Sequence, residues 1–455
     1  MKSTIRFLLI ALTLIGHAAA MLAQEVSIPD PGLNAAIREA LNKPVGPLTE
    51  QDLLGLTSLS AISRGISSVQ GLGTARNLNA LDLDSNSLTN FDVAGALTNL
   101  NTLDLFNNRL TKFVLPSGLT KLSFLDLGFN SLVQCSIPGG LTNLDTLFLE
   151  GNQLPSFTMS AGLTGLTEFD LSGNGLTSFS IPADMTNLIT ALIFANQLTN
   201  LILPANLHRL GGLDLDFNRL PSLNLPAGLN HLGTLVARDN QLTNLALPAD
   251  MTNLTFLDVG GNQLPGLTLP AGLSRLNFLR LSENKLTSFT LPPGLTNLGA
   301  VFLQSNQLAN LTLSADLINL VQIDVRGNQL TNFTLSPDAT KLSTLVLDGN
   351  PLATFVLSEP AAATSLAVTV AALRNQGVSV STYPLAVQSV RPRRLLGAFE
   401  FGITGPPGVY NVLGSTDLAD WSGVGFATNT LGTIVFTDVA AHLSPQKFYR
   451  VRFVP

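Results

Sequence analysis

An asparagine recurs every 22 residues, thirteen times in succession: Asn86, Asn108, Asn130, Asn152, Asn174, Asn196, Asn218, Asn240, Asn262, Asn284, Asn306, Asn328 and Asn350. A fixed period of roughly 20 to 50 residues marks stacked supersecondary units, none of which can bury its apolar side alone. The apolar residues keep the same ruler. Leu103, Leu105, Leu110, Phe113, Leu115, Leu119 and Leu122 surround Asn108, and Leu279, Leu281, Leu286, Phe289, Leu291, Leu295 and Leu298 surround Asn284. Only stacking of the units removes all of these from water, so the chain is read as a solenoid.

Within a unit, an apolar-x-apolar pair precedes the Asn, as in Leu125-Asp126-Leu127 before Asn130. Period-two alternation predicts a short strand with both leucines inward and the middle residue outward. Identical units must set these strands parallel, about 4.8 Å apart. A second alternating segment follows, such as Phe113-Val114-Leu115 or Phe289-Thr290-Leu291, and in eight regular units Pro comes next, as Pro116 and Pro292 do. Proline has no backbone donor, so strands there must be short. No unit contains a helix-length stretch. The expected fold is therefore a β-rich repeat solenoid: a parallel sheet on the concave side, with short strands or 3-10 turns on the convex side. The Asn lies in line with the inward leucines at the turn leaving the strand. A buried amide needs partners, and the free backbone groups of that turn can supply them.

The ends depart from the period. Residues 1–23 read as a signal peptide, with Lys2 and Arg6 before the apolar run Phe7 to Ile15 and small residues at Ala18-Ala19-Ala20. Residues 24–58 are predicted to form a helical N-terminal cap. Asp30-Pro31 starts one helix, with Leu33, Ile37 and Leu41 on one face, and Thr49 with Asp52 resembles a capping box. The repeats span 59–357, with Arg64 standing 22 before Asn86 in a degenerate first unit. A C-terminal cap covers 358–384, with a helix over 365–375 and a strand over 378–382. Residues 385–397 read as a linker. From 398 to 455 short β-prone runs between turns predict a small all-β module, whose core should include Trp421, the sole tryptophan.

Composition narrows function by exclusion. The net charge is −6 and charged residues are only 12 % of the chain, which disfavours nucleic acid. Cys135 is the single cysteine, five residues after Asn130 in a column otherwise holding Phe and Leu, so it is read as a core residue. His208, His231 and His442 form no metal or catalytic motif, and G-x-S-x-G, H-E-x-x-H and P-loop patterns are missing. An enzyme is not expected, nor any cofactor or metal.

The units differ most on the outward face of the predicted sheet. The column four before the Asn holds Asp82, Asp104, Asp126, Phe148, Asp170, Asp214, Asp258, Arg280, Phe302 and Asp324. The column two before it adds Asp84, Phe106, Glu150, Phe194, Asp216 and Arg238, and the column six before it adds Phe124, Glu168, Phe256 and Phe278. Exposed aromatic patches mark contact sites. The plainer alternative is that Asp is simply the solvated residue between strand leucines. Stacked carboxylates such as Asp82, Asp104 and Asp126 repel each other and invite a cation, but no calcium-loop motif accompanies them.

The stretch Leu276-Asn277-Phe278-Leu279-Arg280-Leu281-Ser282-Glu283-Asn284-Lys285-Leu286 resembles the leucine-rich repeat signature L-x-x-L-x-L-x-x-N-x-L. With the export signal, the helical cap and the period, the chain resembles the secreted bacterial, internalin-like group. One departure stands out: the apolar residue falls seven after the Asn with Pro at eight, where internalin-type units place it at eight. The segment Gly414-Ser415-Thr416-Asp417-Leu418 before Trp421, with Phe448-Tyr449-Arg450 near the end, resembles a small β module found at the ends of secreted bacterial proteins. The resemblance implies a right-handed horseshoe. It leads to an exported monomer, secreted or held at the cell envelope, that binds a protein through its acidic, Phe-bearing concave face. The alternative is a carbohydrate-binding or envelope-attachment protein in which the β module anchors and the solenoid is a spacer.

Overall fold

The computed structural model describes residues 24–92, 97–314 and 316–454. The predicted signal peptide, 1–23, lies outside the described residues. The chain forms two compact units, Met1–Leu220 and Pro221–Pro455.

In the first unit, helix α1 (Pro31–Ala40) is capped by Asp30, whose Oδ1 accepts from the Leu33 amide at 3.0 Å. The other carboxylate oxygen accepts from the Ser67 amide at 2.8 Å, tying the cap to the first turn of the array. Helix α2 (Glu50–Leu54) carries a reciprocal capping box between Thr49 and Asp52, so Asp serves where Glu or Gln is usual. A parallel ladder follows in chain order: Ser58–Ser60, Ala80–Asp82, Thr102–Asp104, Phe124–Asp126, Thr146–Phe148, Glu168–Asp170, Thr190–Leu192 and Gly212–Asp214. Its register repeats the sequence period, with Leu81 opposite Leu103 and Leu103 opposite Leu125. These leucines are fully buried, which fixes the register, since a slip of one residue would turn each of them outward.

The Asn column closes each turn. Nδ2 of Asn130 donates to Leu105 O of the preceding turn (3.0 Å) and to Leu127 O (3.0 Å) and Gly128 O (3.2 Å) of its own. Its Oδ1 accepts from the Leu110 amide at 3.0 Å. The partners thus include the neighbouring turn as well as the adjoining one. The degenerate turn joins in through the Arg64 amide, which donates to Asn86 Oδ1.

The opposite side has no continuous sheet within either unit. Short strands pair in twos, as Lys112–Val114 with Gln134–Ser136 and Ser178–Ser180 with Asn200–Ile202, except at the last turns, where Asn332–Thr334, Thr354–Ser358 and Ser379–Tyr383 form a three-stranded sheet. Where they pair, the amide three residues after the Asn donates to the preceding turn, as Val133 does to Thr111 O (2.9 Å). Pro155, Pro221 and Pro265 occupy that position in three turns and have no amide to donate. The turns of Pro155 and Pro265 form no strand on this side, and the Pro221 turn, Ser222–Asn224, pairs only with the following Asn244–Ala246. Cys135, opposite Phe113 in the first pair, keeps a little exposure, yet burial pushes its thiol up to about 12.

The second unit repeats the ladder through Thr234–Val236, Phe256–Asp258, Phe278–Arg280, Ala300–Phe302, Gln322–Asp324 and Thr344–Val346. Two helices, α3 (Glu359–Ala363) and α4 (Ala367–Asn375), then cover the last turn with Leu366, Val370 and Leu373 buried. The strand Ser379–Tyr383 pairs with Thr354–Ser358, and the buried Tyr383 hydroxyl donates to Leu335 O at 3.0 Å. The expected linker is partly a strand: Gln388–Leu395 pairs with Ala398–Thr404. Pro392 is tolerated there because the strand lies at a sheet edge and bulges between Val390 and Arg393. A second sheet, ordered Ser422–Asn429, Gly408–Ser415, Phe448–Val454, completes the module. Phe401, Ile403, Tyr410, Val412, Ala427 and Phe436 build its core. Trp421 is not in that core, contrary to expectation. It sits just beyond the Ser415–Asp420 turn, half-buried, with Nε1 donating to Leu418 O at 3.2 Å.

Candidate binding face

The residue before each Asn adopts a left-handed conformation, φ +51° at Asn107, +49° at Phe129 and +53° at Phe217, turning the chain out of the strand. This bend leaves the amide two residues before the Asn without a ladder partner. The outward Asp supplies one. Asp104 Oδ1 accepts from the Phe106 amide (2.9 Å), Asp126 from Gly128 (2.8 Å), Asp170 from Ser172 (2.7 Å) and Asp214 from Asp216 (3.0 Å). Asp82, Asp258 and Asp324 do the same. The Asp column therefore locks turns as well as bearing charge. Three of its members are not the solvated side chains expected: Asp126, Asp258 and Asp324 are only 8, 4 and 2 % exposed.

In the first unit one ladder face gathers Asp82, Asp84, Asp104, Asp126, Glu150, Glu168, Asp170, Asp214 and Asp216. The outward columns of these strands and of the bend before each Asn hold no Lys or Arg. Phe106, Phe124, Phe148 and Phe194 lie on the same face, but half-buried rather than exposed. Strands at ladder spacing let rings cover one another: Phe124 meets Phe148 edge-on at 5.8 Å, and Phe106 meets Phe129 at 5.2 Å. The most exposed rings are Phe129 and Phe217, 55 and 54 % exposed, which the outward-column reading missed. The signal was available, because a bulky ring in a column otherwise filled largely by Gly, Ser, Asn and Asp occupies a strained position.

Glu150 folds over its neighbour. A Cβ at Gly128 would clash with Glu150 Oε1, so the absent side chain makes the slot, and Oε2 is buried there without a hydrogen-bond partner. Burial raises the Glu150 carboxyl, helped by Asp170 and Asp104. Burial also pushes Asp126 up to about 7, with Glu150, Asp104 and Asp84 adding repulsion. Asp104 and Asp170 are raised, first by burial.

Stability should follow. Asp126 in the unfolded chain ionises near pH ~4, so between about 4 and 7 the folded state holds the extra proton and stability falls as pH rises. Asp126→Asn keeps the oxygen that caps Gly128 and removes the charge. The variant is expected to gain about 1–2 kcal/mol at pH 8 and little at pH 4. Urea unfolding at the two pH values checks this, and an equal pH response in both proteins would refute it.

In the second unit Arg238, Asp258, Arg280, Phe302 and Asp324 also share a ladder face, but the charges are matched. Arg238 pairs with Asp239 (3.1 Å), Arg280 with Asp258 (3.1 Å) and Arg326 with Asp324 (2.5 Å). Phe256 and Phe278 stack at 4.4 Å, and the Arg280 guanidinium lies 5.3 and 5.2 Å from the Phe278 and Phe302 rings. Burial raises Asp258, and Arg280 opposes the shift. No group of three or more potential metal ligands occurs among the described residues. His231 and His208 are exposed.

The BspA-type leucine-rich repeat region, in six copies, matches residues 83–198, 145–257 and 260–363, more than half of the chain. The chain belongs to the BspA-type leucine-rich repeat family. The leucine-rich repeat fold has solved counterparts at low identity. Internalin F from Listeria monocytogenes is 22 % identical with a TM-score of 0.56, over 73 % of this chain and 94 % of that one. The functional domain of InlJ from the same organism is 21 % identical with a TM-score of 0.52, over 91 and 92 %. YopM, an effector from Yersinia pestis, is 24 % identical with a TM-score of 0.51, over 70 and 88 %. No curated protein matches the chain. No enzymatic family is indicated, and no helix among the described residues is long and apolar enough to cross a membrane.

Proposed function

We propose that this is an exported, non-enzymatic binding protein that captures another protein on the strand face of its first unit. The observation carrying this reading is the charge imbalance: from Asp82 to Asp170 every charged residue of the outward columns is a carboxylate, and Phe rings lie among them. The matched face of the second unit offers no such imbalance. An acidic surface with apolar rings favours a partner presenting basic and apolar groups. Carboxylates would steer encounter, and the rings would supply the holding contacts. Export follows from the reading of residues 1–23 and places the partner outside the cytoplasm.

The test is capture from native envelope and culture extracts by residues 24–455, beside a variant with Asp104, Asp126, Phe106 and Phe124 all changed to Ser. Wild type should retain a species that the folded variant loses. Equal capture by the two would remove the first-unit face from consideration.

A further inference from the structure

We infer that the C-terminal β module carries a separate site for a carboxylate-bearing sugar. A cavity of about 360 Å³ opens between the turn joining Gln388–Leu395 to Ala398–Thr404, the 3-10 turn Ala441–Leu443 and the strand Phe448–Val454. That size is within the ~300–1,000 Å³ of ordinary small-molecule sites. Phe399 and Tyr449 line it with rings 5.1 Å apart and 8° from parallel. The pair is held from beneath. Tyr449 packs on the buried Phe401 ring at 5.3 Å, and its hydroxyl donates to Asp438 at 2.8 Å. Burial and the Asp438 carboxylate raise the phenol above its ordinary value, so that donor is retained.

The polar groups around the rings have defined roles. Lys447 Nζ lies 2.6 Å from the same Asp438 carboxylate, which uses one of its three donors. His442 Nδ1 stands 2.9 Å from Gly397 O and 3.0 Å from Val439 O. Two facing acceptors put the proton on Nδ1 and make Nε2 the ring's acceptor. Arg394, exposed at the rim, has no carboxylate partner among the described residues. A sugar acid would use all of these: its C–H face on the aromatic pair, its carboxylate on the Arg394 fork, its hydroxyls on Lys447 and His442. A bare phosphate would leave the rings unused, and a neutral sugar would leave Arg394 unpaired.

The experiment is calorimetric titration of residues 24–455 with trigalacturonate, neutral galactotriose and inorganic phosphate. Trigalacturonate is expected to bind at least about tenfold more tightly than galactotriose, and phosphate should not displace it. Arg394→Gln should weaken it about tenfold, whereas Arg450→Gln, exposed and outside the cavity, should not, with both variants melting as wild type does. Equal binding of the neutral sugar, displacement by phosphate, an unaffected Arg394→Gln variant or no binding would each overturn the assignment. The first-unit face variant should bind trigalacturonate normally, so the two sites stand or fall separately.

Discussion

Asn218→Ala is expected to cost about 3 kcal/mol of stability, the upper part of the range for orphaning a buried polar group. The side chain makes four contacts at once. Nδ2 donates to Ile193 O (2.9 Å), Leu215 O (3.0 Å) and Asp216 O (3.3 Å), and Oδ1 accepts from the Leu198 amide (3.0 Å). Ile193 O keeps a second donor in Asn196, so truncation falls hardest on the Leu198 amide. That amide is buried one turn away and 20 residues earlier. Asn218→Asp separates the two halves of the role. It can still accept from Leu198, but it sets a carboxylate against three carbonyl oxygens. Its pKa must therefore rise, and stability should drop further as pH climbs and recover as the group protonates in acid. Urea unfolding reads the loss, and hydrogen exchange should locate it at Leu198 and the turns beside it, because each turn contacts only its neighbours. An unchanged midpoint with Leu198 still protected would remove the ladder as a stabilising element.

Such a column is legible in sequence because translation repeats it. Every Asn meets the same leucines and the same turn, so one argument serves all of them. The site is less legible because it depends on differences between neighbouring turns. Glu150 is folded inward only because residue 128, one turn earlier, lacks a side chain. Asp126 is raised first by its burial and then by carboxylates on neighbouring turns, which a column of letters does not reveal. The Phe rings looked exposed because alternation predicts direction, not coverage, and rings 5 to 6 Å apart cover one another. Phe129 and Phe217 were missed for a backbone reason: the left-handed bend turns a position that follows the strand onto the surface. The β module was legible as strands but not as packing, and there Trp421 gave way to Phe401 and Tyr410.

The contact at Phe106 and Phe129 carries the largest expected effect on binding. Phe106→Ala with Phe129→Gly should weaken capture of the partner about a hundredfold, as loss of paired aromatic anchors does at other interfaces. The pair suits the role because the rings brace each other at 5.2 Å and Phe129 also lies against Gly151, where a Cβ would come within 3.1 Å of the ring. Phe129 keeps this place at φ +49°, a conformation that costs a non-glycine residue about 1 kcal/mol or more. Phe129→Gly alone should therefore relieve strain and leave the melting temperature equal or higher while binding falls, which separates a contact role from a packing role. Asp84→Asn with Asp104→Asn should behave differently. Steering charges act on encounter, so association should slow and lose its salt dependence while dissociation changes little. If the Phe variants bind as wild type does, or bind less only in proportion to lost stability, the rings are packing residues. Binding energy would then have to come from the carboxylates, and the Asn substitutions would show it as faster dissociation.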